Sequence, residues 1–266
     1  MSTYVVSDVH GRAAAFDRAL ERVSLADDDT LWVLGDMIDR GPAAADVLRM
    51  VRDLPCAHAI MGNHERLMLD VLTSPDDQLA SYNWLSNGGA ATHTSLLNIP
   101  VGQRVDLLEW AGALPAYGHA IVAGRAFLFA HAGIRAGQAS VPDVWDDAAC
   151  ERFLSAQTLD DLLWIREDFW GCPTGLVRPD GAGAVVVCGH TPTPLAAPLC
   201  DRCQDDPCDP DGRALMLRVG ACQATGGIAD RVDIDCACAS GAPTGQVCLL
   251  RLDDGAVTYE AVADGE

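Results

Sequence analysis

The stretch "TLWVLGDMIDRGP" (residues 30–42) joins a buried-strand pattern to an abrupt run of charge and glycine. The residues before Gly35 are mostly apolar, which predicts a strand buried in the protein interior. Asp36, Asp39 and Arg40 follow at once, where a strand would normally just end. Ligands of open α/β sheets collect beyond the carboxyl ends of strands, so we predict that this tip belongs to a functional site.

Strand and helix patterns alternate on both sides of this tip. Strands are predicted at residues 3–8, 30–36 and 56–63, with helices at residues 13–23 and 44–54 between them. A strand–helix–strand–helix–strand order favours parallel pairing with right-handed crossovers. The first quarter of the chain therefore predicts a parallel sheet.

The remainder of the chain adds helices and then many extended segments. Helices are predicted at 64–72, 77–85, 103–114 and 160–169, and extended segments at 119–133, 184–191, 214–219 and 245–252. The segment 119–133 is predicted to be a hairpin that turns at Gly124 and Arg125, and "NGG" (87–89) is predicted to stop a helix. We expect an α/β fold, a layered sandwich of two mixed β-sheets flanked by helices, in one domain spanning residues 1–266.

The charge balance excludes several classes of partner and chemistry. The net charge is −20 at pH 7, which disfavours binding to nucleic acid or to an anionic membrane, because both are polyanions. All 18 basic residues are arginine, so a phosphate-binding lysine, a Schiff base and a lysine general base are all excluded. The oligomeric state is left open by the sequence.

The start "MSTYVVSDVHG" leads straight into a strand pattern. It lacks the basic start, long apolar stretch and small-residue cleavage site of a signal peptide, and no apolar run in the chain is long enough to cross a bilayer. We therefore expect a cytoplasmic protein.

Five predicted strands end in side chains that can bind metal ions or carry protons. These side chains are Asp8 and His10, Asp36 and Asp39, Asn63 and His64, His131, and His190. A lone histidine near a strand end is more often a surface or core residue, but five tips with the same chemistry indicate convergence at one rim. Oxygen and nitrogen donors of this kind suit manganese, iron, zinc or magnesium.

The candidate ligands outnumber what one ion can take, and a carboxylate such as Asp36 could bridge two ions. Two divalent ions stabilise both the attacking and the leaving oxygen of an in-line displacement at phosphorus. The residues themselves thus point to phosphoester hydrolysis.

Five motifs resemble, in order and spacing, the signatures of the phosphoprotein phosphatase family of binuclear, calcineurin-like metallophosphoesterases. The motifs are "SDVHG" (7–11), "GDMIDRG" (35–41), "GNHE" (62–65), "HAGI" (131–134) and "GHTP" (189–192). Three further segments look like bacterial members: "WLSNGG" (84–89), "DLLWIRE" (161–167) and "RVDIDCACASG" (231–241). The resemblance covers the chain to about residue 195, resumes near residue 231, and implies the metallophosphoesterase sandwich and a bacterial serine/threonine protein phosphatase branch.

The resemblance implies two divalent ions, with manganese expected and iron or zinc as alternatives. The implied ligands of the first ion are Asp8, His10 and Asp36. The implied ligands of the second ion are Asp36, Asn63, His131 and His190. A hydroxide bridging the two ions would be the nucleophile.

The resemblance also implies the remaining catalytic roles. His64 is the expected general acid, and Asp39 is expected to orient it and keep it protonated. Arg40 and Arg166 are the expected clamps on the substrate phosphate, a task that suits the planar guanidinium.

One position departs from the pattern of many family members. Protein phosphatases of this family often carry an arginine just before "GNHE", where this chain has Met61. The missing phosphate contact is either absent or supplied from elsewhere, with Arg135 of "HAGIR" as one candidate. The alternative for Arg135 is a solvated loop charge.

A second departure is the cysteine-rich segment 198–240, with an expected insertion at about 198–230. Its cysteines are Cys200, Cys203, Cys208, Cys222, Cys236 and Cys238. They predict either a structural zinc site or a loop with reduced thiols. Cys236 and Cys238 alternate on a predicted strand, which would place both in one layer of the core.

The first functional expectation is a metal-dependent serine/threonine phosphoprotein phosphatase, acting on a phosphoprotein or a small phosphoester. "DRG" in the second motif and "GNHE" rather than "GNHD" favour it. The alternative is symmetrical hydrolysis of dinucleoside tetraphosphates, which close relatives perform on the same scaffold. A catalytically silent metal-binding interaction module is the less favoured third possibility.

Overall fold

The computed structural model describes residues 1–266 and contains two five-stranded sheets. The strands are β1 (Thr3–Val6), β2 (Thr30–Val33), β3 (Ala57–Ala59), β4 (Tyr117–Val122), β5 (Arg125–Ala130), β6 (Ala184–Cys188), β7 (Leu217–Val219), β8 (Arg231–Asp233), β9 (Gln246–Arg251) and β10 (Val257–Ala261). The first sheet has the order β10-β9-β1-β2-β3, and the second has the order β4-β5-β6-β8-β7.

Each sheet mixes parallel and antiparallel pairs. In the first sheet β1, β2 and β3 are parallel, whereas β9 runs antiparallel to both β1 and β10. In the second sheet β5, β6 and β8 are parallel, and β4 and β7 are antiparallel edge strands. The expected fold class, two mixed sheets flanked by helices, is confirmed.

Ten helices accompany the sheets. They are α1 (Ala13–Val23), α2 (Ala44–Asp53), α3 (Asn63–Thr73), α4 (Gln78–Trp84), α5 (Ala90–Leu97), α6 (Val101–Gly112), α7 (Asp147–Ser155), α8 (Leu159–Trp164), α9 (Glu167–Trp170) and α10 (Thr193–Ala196). No helix is both long enough and apolar enough to cross a bilayer.

Strand alternation builds the layers. Val6 and Val33 point to the helical side of the first sheet, where they pack with Phe16 of α1. Val5 and Leu34 point the other way, into the space shared with the second sheet. The second sheet repeats this alternation, with a third apolar cluster between it and helices α7 to α9. The fold thus has four layers, two sheets with a layer of helices outside each, and one apolar cluster fills each of the three spaces between them. This packing holds the strand ends of both sheets beside one another.

Several boundaries differ from the sequence expectations. The strands predicted at 30–36 and 56–63 are shorter, because the backbone leaves the sheet before the polar tip residues. The helix predicted at 160–169 is interrupted at Ile165, whose ψ of 141° is extended, so α8 and α9 are separate. The hairpin turns one residue earlier than expected, at Ala123 and Gly124.

Regular α-helix ends at the "NGG" stretch, but the chain stays helical through it and continues into α5. Residues Leu85–Gly89 form a π turn, and Gly88, with a φ of 103°, is the one residue with non-helical geometry. Helix α5, helix α7 and strand β10 were not anticipated from the sequence. The apolar residues of α5 show no clear period, and those of α7 and β10 follow the expected period over only nine and five residues.

The predicted strand through Cys236 and Cys238 is wrong. Strand β8 ends at Asp233, and Ala237 has a left-handed φ of 56°. Cys236 therefore packs between the sheets, whereas Cys238 packs on the helical side of the first sheet.

Leu31→Ala tests the importance of the first sheet's helical face. Leu31 is fully buried in β2, so we expect the free energy of unfolding to fall by about 2–5 kcal/mol. Guanidinium chloride denaturation would measure the change. Leu79→Ala is the matched control, because that leucine is 66% exposed and should cost well under 1 kcal/mol. Equal costs for the two variants would contradict the layer assignment.

Candidate metal centre

Left-handed backbone turns lie at the carboxyl ends of the strands. Asp8, His10, Asp36 and His190 have φ values of 55°, 47°, 52° and 69°. This conformation costs a non-glycine residue of order 1–3 kcal/mol and is found mostly at functional sites. Here it turns each side chain inward, toward the gap between the two sheets.

Close approach of neighbouring tips requires glycine at Gly62. A Cβ atom there would lie 2.2 Å from Oδ1 of Asp36 and 2.4 Å from its backbone nitrogen. The tips of β2 and β3 are therefore in direct contact, and no side chain can separate them.

Two overlapping groups of metal-capable atoms result. The ligand atoms of His10, Asp36 and His64 lie within 4.8 Å of one another, as do those of Asp8, Asp36 and His131. All five residues are buried. Asp36 belongs to both groups, so one carboxylate lies between two clusters.

Asn63 and His190 extend the second group. The side-chain oxygen of Asn63 lies 2.8 Å from Nε2 of His131 and 2.8 Å from Nδ1 of His190. Oδ1 of Asp36 lies 3.4 Å from the same Nε2 of His131. Four side chains from four strand tips thus converge on one small volume.

The tautomers of two histidines follow from their backbone contacts. Nδ1 of His131 lies 2.8 Å from the carbonyl oxygen of Leu34, and Nδ1 of His10 lies 2.8 Å from that of Ile38. A carbonyl can only accept, so Nδ1 carries the proton in each neutral ring and Nε2 has a lone pair.

These lone pairs face other acceptors. Nε2 of His131 faces the Asn63 oxygen, and Nε2 of His10 lies 3.5 Å from Oδ2 of Asp36. Acceptors that face each other in a buried volume repel unless a cation lies among them. The donor set of carboxylate, amide oxygen and neutral imidazole therefore fits divalent metal ions.

The pKa shifts describe the same environment. Burial, with repulsion from Asp8 in addition, raises the pKa of Asp36 well above its usual value. Burial also lowers the pKa of His10 and of His190 well below the usual value of histidine. The imidazoles are therefore neutral and able to donate lone pairs, while the carboxylate needs a positive partner to ionise.

His64 and Asp39 form a buried pair beside these groups. Nδ1 of His64 lies 2.7 Å from Oδ2 of Asp39. Burial alone would lower the pKa of His64, but the carboxylates of Asp36 and Asp39 outweigh it and raise the pKa. The ring is thus held in one orientation and favours its protonated form.

Two residues that sequence patterns did not assign to the site hold Asp39. The hydroxyl of Thr92 donates to Oδ1 of Asp39 at 2.6 Å and accepts the Asp39 backbone N–H at 2.7 Å. Nε1 of Trp84 donates to the same carboxylate at 3.1 Å. The "WLSNGG" motif was the available signal for Trp84.

Comparison with known proteins agrees with this geometry. The family model described as calcineurin-like phosphoesterase matches residues 1–221. The chain belongs to the calcineurin-like phosphoesterase family. Members are phosphoester hydrolases that work with divalent metals, and the two acidic and histidine-rich clusters described above could hold such ions.

Two curated relatives carry the name bis(5'-nucleosyl)-tetraphosphatase, symmetrical. The protein from Pectobacterium carotovorum is 40% identical over 104 residues, covering 32% of this chain and 36% of the relative. The protein from Baumannia cicadellinicola is 34% identical over 137 residues, covering 50% of this chain and 43% of the relative. The matched region thus spans less than half of each relative's length.

A solved structure shares the fold over nearly the whole chain. The crystal structure of a putative diadenosine tetraphosphatase superposes with a TM-score of 0.57, covering 99% of this chain and 94% of that chain. At 19% identity this likeness concerns the fold alone.

The two expected phosphate clamps are exposed and free of carboxylate partners. The guanidinium of Arg40 lies 3.0 Å from Nε2 of His64 and 3.4 Å from Nε2 of His10. Arg166 precedes α9 and is close enough to His190 to lower the pKa of that ring further, after burial and His131.

A fully buried arginine fixes the segment that carries Arg166. Nη1 of Arg231 donates to the carbonyl oxygens of Phe169, Trp170 and Cys172 at 2.9, 2.8 and 2.7 Å. Its other nitrogens pair with Asp230 and Asp201. Strand β8 thereby anchors the end of α9 beside the metal centre.

Arg135 does not take the place of the arginine missing at Met61. Its guanidinium is paired with Asp161 at 2.8 Å and with Asp168 at 2.7 Å. Met61 is 9% exposed and adds no charge to the site. Of the two possibilities for Arg135, the loop charge describes this structure, with Asp161 and Asp168 as its partners.

The cysteine-rich segment does not assemble a set of metal ligands. All eleven cysteines are free, and neither of the metal-capable groups includes a thiol. Cys203 and Cys208 instead lie at isolated β-bridges, with Val219 and Ala214. The geometry therefore favours the loop of reduced thiols over a structural zinc site.

Glu65 ties the tips of β2 and β3 together. Its Oε2 accepts the backbone N–H groups of Asp36 at 2.9 Å and Gly62 at 2.8 Å, and its Oε1 accepts that of Met37 at 2.8 Å. Glu65 is fully buried. Its carboxylate is used entirely within the protein.

Glu65→Gln should therefore destabilise the fold. The amide group presents N–H donors where the carboxylate accepts, which leaves at least one buried backbone N–H unpaired at a cost of about 1–3 kcal/mol. Urea denaturation would measure the loss. Glu109→Gln, at an exposed position of α6, is the control and should be neutral. A Glu65→Gln protein as stable as the control would refute this tethering role.

Proposed function

We propose that this chain hydrolyses phosphate esters and anhydrides with two divalent ions, of which manganese is our first choice. One ion would be held by Asp8, His10 and Asp36. The other would be held by Asp36, Asn63, His131 and His190. The observation that supports this most strongly is the set of buried acceptor atoms that face one another across the shared carboxylate of Asp36.

Bound ions supply the activation of water and the neutralisation of phosphate charge. The chain's own residues supply the proton and the alignment. His64 would donate the Nε2 proton to the departing oxygen, because its Nδ1 is held by Asp39 and its pKa is raised. Trp84 and Thr92 prevent the Asp39 carboxylate from turning away.

Arg40 and Arg166 would bind the phosphate oxygens. Arg40 lies beside Nε2 of His10 and Nε2 of His64, where an incoming phosphate would accept from its guanidinium. Arg166 approaches from the side of His190. A substrate with several phosphates gives both arginines a partner at once.

We propose a dinucleoside tetraphosphate, cleaved symmetrically, as the substrate. The curated relatives carry that name, which favours the sequence-based alternative over the bacterial serine/threonine phosphatase first expected. The Glu of "GNHE" no longer argues for a phosphoprotein, since Glu65 contacts backbone groups only. Met61, where many protein phosphatases have a phosphate-binding arginine, points the same way.

A phosphoserine protein is the second candidate. The "DRG" sequence at residues 39–41 favours it, because it provides the acid-orienting carboxylate and the phosphate-binding arginine found in protein phosphatases.

We retain the inference that residues 1–266 form one domain with a cysteine-rich insertion at about 198–230. None of the proposed metal ligands, proton-donating residues or phosphate-binding arginines lies in that insertion.

A panel of three substrates would decide between the candidates. The chain, freed of metal with a chelator and supplied with manganese, should convert diadenosine tetraphosphate to two ADP at a kcat/KM at least tenfold above that for a phosphoserine peptide or a phosphotyrosine peptide. Chromatography of the products measures all three. Faster turnover of the phosphoserine peptide would favour the second candidate, and equal turnover would indicate a broad phosphoesterase. Turnover unaffected by the chelator would contradict the metal requirement.

The role of His64 can be tested through the leaving group. His64→Asn should lower kcat by about 10²–10⁴ for phenyl phosphate, whose leaving group is basic and needs a proton. The loss should be much smaller for p-nitrophenyl phosphate, whose leaving group departs readily as an anion. His119→Asn, at a histidine paired with Asp147 away from the centre, is the control. Equal losses on both esters would contradict proton donation by His64.

A further inference from the structure

A cavity lies among the helices that follow the third strand. Its volume is about 330 Å³, and it is bounded by helices α3, α4, α5 and α6. Its walls are mainly apolar and include Met68, Leu72, Trp84, Leu97 and Leu108. We call this cavity the helical groove.

Exposed apolar side chains are concentrated around the helical groove. Of the 13 exposed large hydrophobic residues in the chain, seven lie between residues 72 and 105. They are Leu72, Leu79, Tyr82, Leu85, Leu97, Val101 and Val105. Two of them, Leu72 and Leu97, line the groove while 47% and 53% exposed. A cluster of this kind around a concave surface is typical of a binding site.

Arg104 gives the groove one positive charge without a counterion. It lines the groove, and no carboxylate lies within ion-pair distance of it. Its Nε is buried and has no hydrogen-bond partner. No acidic residue lines the groove, although the chain has 38 acidic residues against 18 arginines. A guanidinium on an apolar wall that holds no acidic residue makes the groove complementary to an anion.

The groove walls also hold the proposed catalytic acid in place. Trp84, which lines the groove, donates from Nε1 to Asp39 at 3.1 Å. His93, another lining residue, directly follows Thr92, whose hydroxyl donates to the same carboxylate. Both donors that orient Asp39 therefore come from the segment that any occupant of the groove would touch.

We propose that the helical groove binds an amphiphilic carboxylate, an apolar chain that ends in one carboxylate group, and that its occupancy changes the orientation of His64 through Trp84 and Asp39. The apolar chain would cover the leucine walls, and the carboxylate would accept from the guanidinium of Arg104. A neutral apolar ligand would leave Arg104 unpaired. The effect on catalysis rests on the proposed function, whereas the binding does not.

Calorimetric titration of the full chain with octanoate and with 1-octanol tests the binding. Octanoate should bind at one site per chain, and octanol should bind at least tenfold more weakly. Arg104→Gln should weaken octanoate binding about tenfold or more, since it removes a charge-assisted hydrogen bond, and should leave octanol binding unchanged. Leu97→Ala should weaken both ligands about threefold or more.

Matched controls come from other surfaces of the chain. Arg152→Gln removes an exposed arginine of α7, and Leu195→Ala removes a leucine that is 64% exposed. Both should bind octanoate as the unmodified chain does. Equal binding of octanoate and octanol, or octanoate binding that Arg104→Gln leaves unchanged, would overturn the proposal. Self-association that Leu97→Ala abolishes, measured by sedimentation velocity, would also overturn it, because a second copy would then be the occupant.

The catalytic consequence has its own measurement. Saturating octanoate should change kcat for phenyl phosphate at least threefold with little change in KM, and should change kcat for p-nitrophenyl phosphate much less. Arg104→Gln should raise the octanoate concentration that gives half of this response by the same factor by which it weakens binding. A change in KM alone, or equal changes for the two esters, would overturn the link to His64. Octanoate binding in a chain without turnover would support the groove and count against the proposed function alone.

Discussion

Acceptor atoms face acceptor atoms at the centre of this molecule, and the rest of the site is arranged around that repulsion. The lone pairs of His10 and His131 face the carboxylate of Asp36 and the amide oxygen of Asn63, in a volume almost without solvent. Each acceptor alone would be costly to bury. Together they are an unfavourable arrangement for a folded protein and a favourable one for two divalent cations.

Holding these groups together requires strain in the backbone and rigid connections outside it. Left-handed turns at Asp8, Asp36 and His190 direct side chains inward, although such turns disfavour folding locally. The buried carboxylate of Glu65 counteracts this strain by accepting three backbone N–H groups from two adjacent tips. The layered apolar clusters then keep both sheets in register behind the tips.

The helical segment after β3 connects the candidate metal centre with a separate surface. Trp84 belongs to the apolar core, to the hydrogen-bond network of Asp39 and to the wall of the helical groove. Packed protein interiors do not deform gradually. A displacement of Trp84 at the groove would therefore also move its hydrogen bond to Asp39. In the proposed enzyme, the same residue that fixes the acid would make it responsive to a ligand.

Sequence alone determined the alternation of strands and helices, the fold class and the residue types at the strand tips. It could do so because apolar periodicity is local, and because Asp8, Asp36, Asn63, His131 and His190 each follow an apolar run at once or after one residue. Only the tertiary structure decided which tips touch, that Glu65 serves the backbone, that Trp84 and Thr92 hold Asp39, and that Arg104 lies unpaired in a groove. These facts depend on contacts between residues far apart in the chain, where side-chain direction follows from packing and from single backbone dihedrals. Cys236 and Cys238 show the limit of prediction from sequence. They lie in different layers, because one left-handed residue between them, Ala237, reverses the side-chain direction that strand alternation would predict.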